Sequence, residues 1–82
     1  MQAEEFKELL DQRPFVPLRI HMTGGKSYDI HHPDVVLVLL SRIDIGVLSK
    51  ERQGLLARVE HCSLSHIVRV EELQRAVRKN GA

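Results

Sequence analysis

Apolar positions recur with helical spacing along the first dozen residues. Phe6, Leu9 and Leu10 are joined by the stem of Arg13 at i, i+3, i+4 and i+7, which predicts a helix over Ala3–Gln12. Glu4 and Glu5 sit in its first turn, where they favour the helix dipole. Pro14 ends it, and Pro17 keeps the following residues extended. From Leu18 to Ile30 the pattern alternates around Thr23-Gly24-Gly25. With a three-residue loop, Met22 faces Lys26, Ile20 faces Tyr28 and Leu18 faces Ile30, so one face is nearly all apolar. The other face then pairs Arg19 with Asp29 and His21 with Ser27. A two-residue loop would mix apolar and polar positions on both faces. Gly25 is expected in the left-handed position.

His31-His32-Pro33-Asp34 breaks the pattern. Val35, Val36, Leu37, Val38, Leu39 and Leu40 form an unbroken apolar run, read as a third strand buried on both faces. After a turn at Ser41-Arg42, Ile43, Ile45 and Val47 alternate with Arg42, Asp44 and Gly46 as a fourth strand. Ser49–Gly54 is a loop, Leu56–Cys62 a fifth strand, Ser63–Ser65 a turn and His66–Val70 a sixth strand. Glu71–Lys79, with acids first and bases last, predicts a C-terminal helix. Connections this short rule out parallel crossovers. The fold class is α+β: a twisted antiparallel sheet of about five to six short strands between two helices, either open or curled into a small barrel.

Length and composition narrow the picture. The chain has 82 residues, 43% of them hydrophobic, with no Trp, two Phe and one Tyr. It is read as a single domain, 1–82, with an aliphatic core. Cys62 is the only cysteine, so no disulfide within the chain can reinforce that core, and a cytoplasmic setting is expected. No secretory leader or membrane-spanning run is read from the sequence. The net charge of +1 supplies no general attraction to nucleic acid or to anionic membrane.

Several constellations invite a chemical reading. Five histidines, among them His31, His32, His61 and His66 with Cys62 alongside, could offer zinc nitrogen and sulfur ligands, but no standard ligand spacing is matched. Cys62 with His61 or His66 has the composition of a nucleophile and base, but lies within a strand where a buried thiol is inert. Asp29, Asp34 and Asp44 flank the hairpins as ordinary surface acids. Gly24-Gly25-Lys26-Ser27 opens a strand and lacks the spacing of a phosphate loop. Arg58, Arg69, Arg75, Arg78 and Lys79 are candidate phosphate contacts, diluted by Glu60, Glu71 and Glu72. The turn His31-His32 with Asp34, and the exposed pair Arg19 and His21, make a candidate contact surface, since imidazole titrates near neutrality. The run Val35–Leu40 is a candidate dimer strand, because so short a chain has little with which to cover its second face.

Arg13-Pro14-Phe15-Val16-Pro17-Leu18-Arg19-Ile20, then Gly25-Lys26-Ser27-Tyr28 and His32-Pro33, resembles a family of short uncharacterised bacterial proteins sharing R-P-F-x-P-[FL]-R-I, G-[RK]-x-[YF] and H-P. Val59–Glu71 is similar to that family's closing segment. The resemblance covers Glu5 to Leu73 and implies a bacterial origin, with no activity or site residue to carry over. A looser likeness of fold links the chain to small SH3 or Sm barrels, whose RNA-binding signature residues it lacks. The expectation is a non-enzymatic interaction module without cofactor or metal, binding a protein partner or itself as a homodimer. A nucleic-acid-associated regulator using the basic stripe, or a metal-binding protein using the histidines, are the alternatives.

Overall fold

The computed structural model describes Met1–Leu73. It contains one helix, α1 (Ala3–Asp11), and six strands: β1 (Leu18–Met22), β2 (Ser27–Ile30), β3 (Val36–Val38), β4 (Arg42–Leu48), β5 (Leu56–Ser63) and β6 (Ile67–Glu72). Short 3-10 turns at Pro33–Val35 and Leu64–His66 lead into β3 and β6. Instead of one sheet there are two antiparallel sheets, each with three strands. The order is β2-β1-β6 in sheet 1 and β3-β4-β5 in sheet 2.

The helix forms where its apolar stripe predicts. Phe6 and Leu10 are buried, while the Gln2 N–H donates to Glu5 Oε1 at 2.8 Å and ties down the first turn. Arg13 leaves the stripe: the helix stops at Asp11, and Arg13 Nη1 donates to the carbonyls of Leu10 and Gln12 at 2.8 and 2.7 Å. Carbonyls left open at a helix end are thereby satisfied.

The first hairpin has the register set by its apolar face. Leu18 lies opposite Ile30, Arg19 opposite Asp29, Ile20 opposite Tyr28 and His21 opposite Ser27. Met22 N–H donates to Lys26 O at 2.8 Å across the three-residue loop. Both Gly24 and Gly25 have positive φ, at 89° and 94°, so two residues rather than one turn through the left-handed region.

The apolar run Val35–Leu40 is corrected. Only Val36–Val38 is strand, because Pro33 draws Val35 into the 3-10 turn and Leu40-Ser41 make the next turn, with Leu39 N–H donating to Arg42 O at 2.8 Å. One face is buried, not two. Val36 is in the core, but Leu37 is 67% exposed and Leu40 93%. The C-terminal helix is corrected at its start. Glu71 and Glu72 extend β6 opposite Arg19 and Leu18, and Leu73 N–H donates to Pro17 O at 2.8 Å. A row of backbone pairs and an arginine opposite Glu71 outweigh the few tenths to 1 kcal/mol or so that acids gain at a helix start. The rest of that expected helix lies outside the described residues.

Both sheets and the helix share one core. Phe6 and Leu10 come from α1, Leu18, Ile20 and Ile30 from sheet 1, Val36, Ile43, Ile45 and Cys62 from sheet 2, and Leu64 from the second 3-10 turn. No polar or charged residue among those described is buried.

Candidate functional site

Alternation along the strands gives each sheet one face toward the core and one away from it. The two outward faces differ in kind. On sheet 1 the outward residues are Arg19 and His21, with Asp29 and Ser27 on one side and Glu71 and Arg69 on the other. Arg19 donates from Nε and Nη2 to the two Asp29 oxygens at 2.7 and 3.0 Å. His21 Nε2 lies 3.0 Å from Glu71 Oε1, and Arg69 reaches the same oxygen at 3.7 Å. Hydrogen bonding to Arg19 holds the Asp29 carboxyl below its ordinary range, and Asp29 in turn raises the guanidinium. His21, then Arg69, lower Glu71 in the same sense. The described ionic groups of this face are matched within the chain.

On sheet 2 the outward row across β3, β4 and β5 is Leu37, Asp44 and His61. Asp44 is the least exposed of the paired acids. Its side chain is 13% accessible, its Oδ1 accepts from Arg42 Nε at 3.0 Å, and it lies 2.6 Å from His61 Nδ1. The hydrogen bond to His61, with Arg42 alongside, keeps this carboxyl ionised to lower pH than a free aspartate. Beyond that row the face becomes apolar. Gly46 lies beside Val59, and Leu56 crosses over the glycine, its Cδ1 2.8 Å from where a Cβ would stand. Leu48, Leu55, Leu56 and Val59 are all about half exposed. Chains rarely leave so many large aliphatic side chains in water without a use for them.

The sequence-derived contact residues fall in three places. Arg19 and His21 belong to the charged face of sheet 1. His31 and His32 line a cleft of about 430 Å³ between β2 and the far half of β4, with Tyr28, Asp29, Val47 and Arg58. Asp34 borders a separate groove, with Lys7, Asp11 and Arg13 of the α1 end. Among the described residues no three metal-ligating side chains converge. His61 is engaged by Asp44, while His66 ends the second 3-10 turn. Cys62 is 2% exposed, and burial pushes its thiol up, away from the reactive thiolate. Of the basic stripe, Arg58 is on β5, 2.6 Å from Glu60, and Arg69 is on β6 beside Glu71. Arg75, Arg78 and Lys79 lie outside the described residues. The Asp44–His61 pair is not visible in the sequence pattern alone. Its signal was outward alternation in both strands, which becomes a contact once the β4–β5 register is known.

Among the described residues no helix is long and apolar enough to cross a membrane. No family model, curated protein or solved structure matches this chain.

Proposed function

We propose that this chain is a small non-enzymatic interaction module that uses sheet 2 to contact a protein surface, and that its first partner is a second copy of itself. The observation that carries the reading is the contrast between the two outward faces. Sheet 1 closes its described charges on one another and exposes one large aliphatic side chain, Val68 of β6, whereas sheet 2 and the loop before β5 leave Leu37, Leu48, Leu55, Leu56 and Val59 uncovered. An aliphatic core of this size is thinly stable alone, and burying half-exposed leucines against a partner adds what it lacks. The thiol of Cys62 is buried and its pKa raised, which argues against its use as a nucleophile, and a single free cysteine suits a cytoplasmic setting.

The two sheets are read as a small SH3-like barrel. Support comes from β6 returning to pair with β1 after the 3-10 turn that follows β5, and from the bond between Thr23 N–H and His66 O at 2.9 Å that joins the first hairpin to that turn. In such a barrel β2 and β3 are one bent strand interrupted at Pro33.

Light scattering over a micromolar concentration range tests the reading. Twice the chain mass is the expected result. A single-chain mass throughout that range, together with no partner recovered by pull-down, would end it.

A further inference from the structure

We infer that two copies of this chain join edge to edge through β5, antiparallel about a two-fold axis, with Val59 opposite Val59 of the partner subunit. This rests on the self-association proposed above and specifies how it is made.

β5 is the end strand of sheet 2, so one side of its eight residues has no partner strand among the described residues. By contrast, β3 at the other end of the sheet packs against α1. β5 has neither proline nor lysine, its one irregularity is at Ala57 where the pairing with β4 shifts register, and Leu56 and Val59 along it, with Leu55 just before it, are about half exposed. Unprotected edges of this kind accept another strand.

Its charges select one register. In a two-fold antiparallel pair, residue i faces residue j of the partner and j faces i, and both lie on the same side of the sheet. The pairing is therefore centred on a single residue that meets its own copy. Centring on Arg58 sets arginine against arginine, and centring on Glu60 sets glutamate against glutamate; both are unfavourable. Centring on Ala57 or His61 carries Glu60 or Arg58, respectively, past the end of the partner strand. Centring on Val59 places Arg58 opposite Glu60 of the partner subunit and Glu60 opposite Arg58 of the partner subunit, with valine on valine between them. Within one chain Arg58 Nε already meets Glu60 Oε2 at 2.6 Å, so the two pairs close into a ring of four alternating charges. Exposed ion pairs add little affinity, but they fix register and exclude the alternatives. Charges on an edge ordinarily keep strands apart, whereas these two complement their own copies.

Two sets of variants test the pairing. In the first, Val59→Cys and Ala57→Cys are each made in a Cys62→Ala background and oxidised. Opposed residues of an antiparallel pair sit roughly 4.5–5.5 Å apart at Cα, within disulfide reach. Copies of residue 57 would lie about 14 Å apart. Val59→Cys is expected to cross-link and Ala57→Cys to stay reduced. In the second set, Arg58→Glu and Glu60→Arg are each expected to weaken the dimer by roughly tenfold. The double variant Arg58→Glu/Glu60→Arg is expected to restore it, with circular dichroism confirming that all three are folded. A dimer that cross-links equally well at 57, or that the charge exchange does not restore, overturns this edge and register and leaves self-association standing. A wild-type chain that is monomeric overturns both.

Discussion

Arg19 holds Asp29 by both carboxylate oxygens across β1 and β2, with Nε 2.7 Å from Oδ1 and Nη2 3.0 Å from Oδ2. The two residues are directly opposed in the register that the apolar face of the hairpin dictates. Single contacts tie other charges together: His21 to Glu71 diagonally across β1 and β6, and Arg42 to Asp44 and Arg58 to Glu60 two residues apart along β4 and β5.

These pairs set the acid sensitivity of the fold. Asp29, Asp44, Glu60 and Glu71 all have carboxyl groups held below their ordinary values of 3.8 and 4.5, chiefly by hydrogen bonds to basic partners. A carboxyl that binds its proton less readily folded than unfolded stabilises the fold above the unfolded pKa, and that stabilisation is lost as pH falls through the folded value. The urea midpoint is therefore expected to hold steady down to about pH 5 and to drop below about pH 4. The Asp29→Asn/Asp44→Asn variant should show a shallower drop. Equal acid sensitivity of the two proteins would contradict the assignment.

Phe6 and Leu40 mark the extremes of burial. Phe6 has no exposed surface, and Phe6→Ala is expected to cost about 3–5 kcal/mol, enough to unfold much of so small a domain. Leu40 occupies a turn at 93% exposure, and Leu40→Ser should change stability by less than about 0.5 kcal/mol. Urea denaturation followed by circular dichroism measures both. A costly Leu40→Ser would show that something covers that turn in solution.

Gly25 is needed for its backbone rather than for space. A Cβ there would meet nothing within 4 Å, but φ is 94°. Gly25→Ala is expected to destabilise by about 1 kcal/mol, as is usual for a side chain forced into the left-handed region. Thermal melting tests this, and an unchanged melting temperature would mean that the loop re-forms another way.

Cys62 should be slow to react. Its thiol is buried among Ile43 and the core, and burial raises its pKa. A chromogenic disulfide reagent is expected to label it slowly in buffer and quickly in denaturant. Rapid labelling of the folded chain would place the thiol at the surface and reopen a nucleophilic role.

How far the fold was legible depended on where polarity alternates. The first hairpin could be read to the residue, because only one register collects Leu18, Ile20, Tyr28 and Ile30 on one face. β4 was equally plain, since Ile43, Ile45 and Val47 alternate with Arg42, Asp44 and Gly46. Val35–Leu40 was not, because an all-apolar run has no period to show where a strand stops. Val35 and Leu40 went to turns instead. Glu71 and Glu72 suited a helix start and an edge strand alike, and the open side of β1, opposite Pro17, Leu18 and Arg19, decided between them. The division into two sheets follows from β2 not pairing with β3 and from β6 pairing with distant β1 rather than with β5, which no local pattern records. At the candidate site, the opposite facing of His61 and Cys62 was readable from alternation, but the Asp44–His61 contact needed the β4–β5 register.

Native mass spectrometry of the untagged chain beside a Val59→Asp variant tests most directly whether the chain self-associates through sheet 2. Twice the chain mass is expected for the wild type and a single chain for Val59→Asp, with both folded. A single chain in both, or a dimer that Val59→Asp leaves intact, would contradict it.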